Sequence, residues 1–281
     1  MKSLDAHLHE FKTEGYTIFP KMLDDTWVQQ MRDAFHEITE RIPTPDGSKP
    51  THLVDLIEHK PKLTVPAITM PRILDFAEML IGPYVQLESI TYRCIPPMPK
   101  AEAEKRPTGY HRDMFAFFPE DGIYHRPLLF NAIVYLQDLT DDIGPLRVIP
   151  GSHTKAMGYS GDIKGYHPNE KLVYPKSGDI VMFHCSMLHS GTHNISDEDR
   201  YLFIITYNHS WLKYRANYNG PNSQAVIREA YQRNDRRLLR LMGVDDLLFN
   251  RANWGFREPD EEIWKRWREE DRAALSAGQQ A

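Results

Sequence analysis

The sequence predicts a mainly β protein: one β-rich core of sandwich or barrel type, with helical additions at both ends. Three observations carry this. Between residues 85 and 208 short β-rich segments follow one another, VQLESITYRCI, GYHRDMFAFF, LLFNAIVYLQ, LRVIP, KLVYP, DIVMF and RYLFIITYN, separated by turn residues. No helical periodicity intervenes, which argues against alternating strand and helix, and turns such as TDDIGP and PKSGD suit antiparallel connections. On either side of this span apolar residues recur at three and four instead of two.

The elements follow in order. LHEFKTEG is a helical pattern ended by Gly15, YTIFP an extended piece stopped by Pro20, and DDTWVQQMRDAFHEI a second helical pattern, so residues 1–41 read as a helical cap. The stretch 43–66, containing IPTPDGSKP and EHKPKLTVP, is rich in Pro and Lys and reads as a long, mobile surface loop with a short helix at most. PRILDFAEMLIG has helical spacing closed by Gly82. Beyond the β span, SQAVIREAYQRNDRRLLRLMG is amphipathic and Arg-rich, and PDEEIWKRWREEDRAAL is a charged helix carrying Trp264 and Trp267. The Arg-rich stretch at 228–240 is expected to be a solvated or subunit-facing surface, compatible with a homodimer. With 281 residues, 41% of them hydrophobic, and no internal repeat, a single domain over 1–281 is expected: N-terminal helices and loop to 84, a core over 85–210, and C-terminal helices over 211–281.

Composition narrows the function. Lys and Arg number 34 against 39 Asp and Glu, a net charge of −5, so no field favours nucleic acid or an anionic membrane. No uncharged apolar run approaches the roughly 18 residues of a membrane span, and the opening MKSLDAHLHEF lacks the apolar stretch of an export signal. A cytoplasmic protein is expected. Cys94 and Cys185 lack CxxC spacing and are expected to be free thiols.

The segment with the most chemistry is Gly109-Tyr110-His111-Arg112-Asp113. In a strand, His111 and Asp113 point to one face with backbones about 6.6 Å apart, from which an imidazole and a carboxylate can converge on one cation. Alone, a His-x-Asp pair is as easily a surface His beside a solvated Asp. A second His-bearing tract, MFHCSMLHSGTHN, follows the buried-looking strand DIVMF. Two imidazoles and one carboxylate on one face of an octahedron, with three positions open, is the ligand set of non-haem Fe(II) oxygenases, whereas a structural zinc site closes all four positions, usually with thiolates. His189 and His193 are four apart, but Ser190, Gly191 and Thr192 between them are poor helix formers and HExxH is absent, so a zincin is excluded. Spacing alone leaves His184 and His189 both open. Arg200 opens a strand in which Arg200, Leu202, Ile204 and Thr206 share one face and Tyr201, Phe203, Ile205 and Tyr207 the other, both largely apolar. An inward guanidinium there needs an anion, which a dicarboxylate cosubstrate would supply; an outward one would pair with Asp197, Glu198 or Asp199.

His111-x-Asp113, the segment IVYLQDLTDDIGPLRVIPGSHTK, and His189-x4-Asn194-x-Ser196-x3-Arg200, with the opening FKTEGYTIFPKML, together resemble the phytanoyl-CoA dioxygenase family of Fe(II)- and 2-oxoglutarate-dependent oxygenases over about residues 8 to 210. The resemblance implies a double-stranded β-helix, the jelly roll of cupin-like proteins. It implies His111, Asp113 and His189 as iron ligands, the spacing choosing His189 over His184. It also implies Arg200 as the clamp on 2-oxoglutarate and O2 as the co-reactant. Thr108, Asn131, Ser190 and Thr192 are placed to help hold the cosubstrate, and Asn131, in an otherwise apolar strand, needs a buried partner in any case. Because related halogenases replace the carboxylate ligand with a small residue, Asp113 argues for oxygen transfer, with hydroxylation the default outcome. The reaction expected is oxidation of an unactivated C–H in a small organic molecule, in secondary-metabolite biosynthesis or in breakdown of an unusual metabolite. The competing reading is a cupin-like protein whose ion is structural; another is a zinc hydrolase with the same triad. Phe115 and Phe117, on the ligand face by parity, are the candidates for a substrate wall. Arg93 and Arg126 read as surface cations able to meet an acidic substrate. The stretches 43–66 and 214–222 are candidate lids.

Overall fold

The computed structural model describes residues 1–42, 48, 50–113, 119–158, 163–244 and 259–279. By contact the chain forms two compact units, one of residues 1–53 with 91–205 and one of 54–90 with 206–281.

The first unit opens with α1 (Leu4–Glu14), capped by the Ser3 hydroxyl, which accepts from the Ala6 N–H at 3.2 Å, and closed by Gly15 at φ 86°. β1 (Tyr16–Phe19) follows and runs antiparallel to β7 (Ile180–His184), Tyr16 opposite Phe183 and Phe19 opposite Ile180. The extended piece expected between the two helical patterns of this cap is thus a strand, and it forms one edge of a sheet. α2 (Asp25–Thr39) is capped by Asp24 and buries Val28, Met31, Phe35 and Ile38.

The strands β2 (His52–Val54), β3 (Val85–Ile95), β4 (Leu129–Tyr135) and β9 (Arg200–His209) complete a six-stranded sheet in the order β1-β7-β4-β9-β3-β2. The boundary between the units falls within β3 and β9. β5 (Leu146–Val148), β6 (Lys171–Val173) and β8 (His189–Gly191) form a three-stranded sheet, β6-β5-β8, antiparallel throughout. Ile133 and Tyr135 of β4, Val181 and Phe183 of β7, Leu146 and Val148 of β5 and Val173 of β6 share one apolar cluster, so the two sheets close on a common core. α6 (Lys100–Ala103) is a single exposed turn.

Each β-rich segment forms a strand except GYHRDMFAFF, whose described residues 109–113 make only isolated bridges at Gly109 and His111. His111 pairs with His189 as an isolated bridge, and Asp113 then donates its N–H to the Cys185 carbonyl at 2.9 Å. The pairing partner thus changes after one residue pair, which ends the ladder; residues 114–118 lie outside the described residues. Phe115 and Phe117 fall in that gap.

In the second unit, the stretch expected to be loop up to residue 66 contains α3 (Leu56–His59) and α4 (Pro61–Ile68), a correction. Pro61 begins α4 rather than breaking it, because the first helical turn needs no N–H from it, and Leu56, Ile57, Ala67 and Ile68 are buried. α5 (Pro71–Ile81), α7 (Pro221–Gln232), α8 (Arg236–Leu241) and α9 (Asp260–Gly278) complete it. The Glu58 carboxylate accepts from the backbone N–H of Asn222 at 3.2 Å and Ser223 at 2.9 Å, serving as the N-terminal cap of α7. Of the Arg-rich stretch, Arg228 and Arg233 are exposed as expected, but Arg237 and Arg240 turn inward. Arg237 bonds Glu78 at 3.0 Å and Asp75 at 2.9 Å, and the fully buried Arg240 bonds Asp271 at 2.6 Å. Among the described residues no helix is long and apolar enough to cross a membrane. Cys94 and Cys185 are free and buried.

Candidate metal centre

His111 and His189 exchange both backbone hydrogen bonds, at 2.9 and 3.0 Å, which sets their rings side by side with centroids 4.2 Å apart. Asp113, two residues on, returns its carboxylate to the same place: Oδ1 lies 3.6 Å from Nε2 of His111 and 3.6 Å from Nε2 of His189. One donor atom from each residue falls within 4.8 Å of the others. Two ligands about 2.1 Å from one ion are at most about 4.2 Å apart, so the carboxylate–imidazole distances suit a shared cation.

The surroundings fix which atoms face that point. His189 Nδ1 is 3.0 Å from the Met187 carbonyl, which can only accept, so Nδ1 carries the proton and Nε2 presents its lone pair. Phe183 packs its ring 4.5 Å from that of His189. Burial, then the neighbouring His189, hold the His111 imidazole below its usual pKa, against the pull of Asp113, favouring the neutral ring that a metal requires. Asn131 of β4 donates from Nδ2 to Asp113 Oδ2 at 2.5 Å, leaving Oδ1 toward the imidazoles. The buried amide in the apolar strand has thus found its partner.

The other histidines of the tract are placed elsewhere. His184 Nε2 lies 3.0 Å from the His125 carbonyl and its Nδ1 accepts from the Ser186 N–H at 3.0 Å, so both ring nitrogens are engaged. His193 Nε2 sits 2.6 Å from the Arg106 carbonyl.

Beside the three converging groups opens a cavity of about 230 Å³. Its floor is one face of the larger sheet: Ile133 and Tyr135 from β4, Arg200, Leu202 and Ile204 from β9, Arg93 and Ile95 from β3. Opposite stand His111, His189, Gly191, Leu146 and the Gly144-Pro145 turn. Arg200 is 5% exposed, donates from Nη1 to the carbonyls of Ile143 at 2.9 Å and Gly144 at 2.7 Å, and leaves Nε without a partner. Among the described residues it meets no carboxylate; Asp197, Glu198 and Asp199 are not its partners. Burial lowers its pKa from the ordinary guanidinium value. Gly144 makes room for it: at φ +96° a Cβ would lie 2.5 Å from Arg200 Nη1 and 2.6 Å from the His193 carbonyl.

The polar residues assigned by resemblance to the cosubstrate are distributed differently. Thr108 accepts from Arg147 at 2.9 Å, Thr192 donates to the Pro145 carbonyl at 2.7 Å, and the buried Ser190 donates to the Gly191 carbonyl at 3.0 Å. None of these three lines the cavity that holds Arg200, and Asn131 faces Asp113. Tyr135 and Gly144 escaped the sequence reading, while Arg93, read as a surface cation able to meet an acidic substrate, lines this cavity. Tyr135 is one more aromatic in an apolar strand, and Gly144 sits in a turn where any glycine is unremarked.

Residues 11–201 match the family described as phytanoyl-CoA dioxygenase (PhyH). The chain belongs to that family. An L-proline trans-4-hydroxylase of Streptomyces griseoviridis is 25% identical over 237 residues, covering 73% of this chain and 86% of the relative. An ectoine dioxygenase of Halomonas elongata is 21% identical over 238 residues, covering 72% and 69%. Among solved structures, HygX from Streptomyces hygroscopicus, crystallised with nickel and 2-oxoglutarate, superposes with a TM-score of 0.60 at 16% identity over 74% of this chain and 88% of its own. SnoN, a non-haem α-ketoglutarate-dependent epimerase from nogalamycin biosynthesis, does so at 0.56 and 23% identity, over 74% and 83%. As a phytanoyl-CoA dioxygenase family member the protein is a non-haem iron, 2-oxoglutarate-dependent dioxygenase that oxidises a small organic molecule.

Proposed function

We propose that His111, Asp113 and His189 hold the iron, that Arg200 clamps the far carboxylate of 2-oxoglutarate, and that the enzyme hydroxylates an unactivated C–H of a small organic molecule. The core is read as a double-stranded β-helix, with His189 on β8 and His111 and Asp113 on the segment bridged to it. The observation that carries the assignment is Arg200: a buried guanidinium with an orphaned Nε, facing the same cavity as both imidazoles. An unpartnered buried cation costs several kcal/mol, of order, and a bidentate carboxylate relieves that cost. Tyr135, beside Arg200 on the cavity floor, is placed to donate its hydroxyl to the same carboxylate.

When bound, Fe(II) with 2-oxoglutarate and O2 supplies a two-electron oxidant, with succinate and CO2 as co-products. The protein's own residues do the rest. Asn131 keeps Asp113 turned so that one oxygen faces the imidazoles, and the Met187 carbonyl fixes the His189 tautomer. Ile133, Leu139, Leu146, Leu202 and Ile204 line the cavity with hydrocarbon, which excludes water from the reacting centre. We place the reaction in secondary-metabolite biosynthesis, with breakdown of an unusual metabolite as the other setting for the same chemistry. The test is anaerobic addition of Fe(II) and 2-oxoglutarate, read by the visible metal-to-ligand absorption band. Parent protein is expected to form the band, and Arg200→Ala and His189→Ala to lose it. A band unchanged in Arg200→Ala, or its absence in the parent as a structural ion would give, overturns the reading.

A further inference from the structure

The cavity contains a second cation that the assignment above leaves unused. Arg93 is near the end of β3, where burial alternates: Tyr92 and Cys94 are buried, while Arg93 is exposed and lines the cavity together with Ile95. It lines the same cavity as His111. None of the described residues lining the cavity is a carboxylate, and Arg93 forms no ion pair with any described Asp or Glu. Charge matching then leaves it over. Asp113 and the two carboxylates of 2-oxoglutarate balance Fe(II) and Arg200, so the loaded site retains one positive charge, that of Arg93, at its open side.

From this we infer that Arg93 reads a carboxylate on the substrate, which makes the substrate a small organic acid or amino acid with an apolar skeleton. The inference rests on the proposed iron and 2-oxoglutarate site. A guanidinium presents two parallel N–H donors that match a carboxylate's two oxygens. Anchored there, the carbon skeleton extends past Ile95 and the imidazole of His111 toward the metal, along a surface of Leu202 and Ile204 that offers no further polar contact. Arg93 touches the substrate's anionic end and not the reacting carbon, so it sets specificity and register.

The experiment titrates the anaerobic Fe(II)–2-oxoglutarate protein with paired compounds: L-proline, L-leucine, N-acetyl-L-leucine, L-pipecolate and cyclohexanecarboxylate, each beside its primary amide. The readout is perturbation of the visible absorption band, with the concentration of 2-oxoglutarate needed to form that band measured separately. At least one acid is expected to perturb the band where its amide does not. Arg93→Met should weaken that acid about 10- to 100-fold and Arg93→Lys less, with the 2-oxoglutarate requirement and melting temperature unchanged. Amides that bind as well as acids, a panel in which no acid acts, or Arg93→Met that still binds the acid would each overturn the inference. So would an Arg93→Met protein that instead needs much more 2-oxoglutarate, because Arg93 would then serve the cosubstrate. Those outcomes come with a normal band in the parent; a parent that forms no band sinks the site assignment itself.

Discussion

Replacing Asn131 by Ala tests how the carboxylate ligand is held. Its Nδ2 lies 2.5 Å from Asp113 Oδ2 within a strand whose seven residues are all buried. A hydrogen bond to a charged group contributes about 1.5–3 kcal/mol, and loss of a partner behind a metal ligand typically lowers metal affinity about 10- to 100-fold. With the amide gone, Asp113 is free to rotate, and the single oxygen now 3.6 Å from both imidazoles is no longer selected. The assay is competition for Fe(II) or Co(II) against a chromophoric chelator without air, followed by 2-oxoglutarate titration of the metal-saturated protein. We expect metal affinity to fall by that factor and the 2-oxoglutarate requirement at saturating metal to stay within about threefold. Unchanged metal affinity with a raised 2-oxoglutarate requirement would refute the reasoning. It would return Asn131 to the cosubstrate, the role its family resemblance suggests.

Three other outcomes are expected. Gly144→Ala should lower the melting temperature, a left-handed non-glycine residue costing roughly 1–2 kcal/mol. It should also raise the 2-oxoglutarate requirement, since the added Cβ meets Arg200; a stable variant with normal cosubstrate binding would contradict this. His189→Asn should abolish metal binding and His184→Asn should preserve it, read in the same chelator competition. Acid stability follows from burial, which holds His184 at about 3 and His153 at about 4. The unfolded chain takes up these protons near pH 6.5 and the folded chain does not, so the stabilisation is complete above about pH 6.5. It falls by up to about 1.4 kcal/mol per pH unit for each group as the pH drops toward 4. Urea denaturation of the His153→Gln, His184→Asn protein should show a shallower loss from pH 7 to 5 than the parent, and an equal slope would disprove the assignment.

The β core was legible because its strands are buried on both faces: LLFNAIVYL and DIVMF are nearly continuous apolar runs. The pair His111 and Asp113 was legible as spacing, whereas His189 and Arg200 were assigned only through the family resemblance. β8 was not, because His189-Ser190-Gly191 has no strand propensity of its own and pairs only through Leu146–Val148. The Pro- and Lys-rich stretch hid two short helices, since its lysines mask the buried Leu56, Ile57 and Ile68. Arg237 and Arg240 looked like a charged surface, their acidic partners being supplied by segments remote in sequence or by the following helix. Arg93 alternates with buried neighbours as any solvent-facing residue would, and only the location of the cavity distinguishes it.

The second unit is assembled from two stretches made at different times during synthesis. Glu58 is separated by 164 residues from Asn222, whose N–H it accepts, and Glu78 by 159 from Arg237. As the chain leaves the ribosome, residues 54–90 must therefore wait, with Leu56, Ile57 and a carboxylate destined for the interior, until the last quarter of the polypeptide has emerged. Until then these apolar side chains lack the partners that bury them, and a chain arrested before residue 221 exposes them to aggregation.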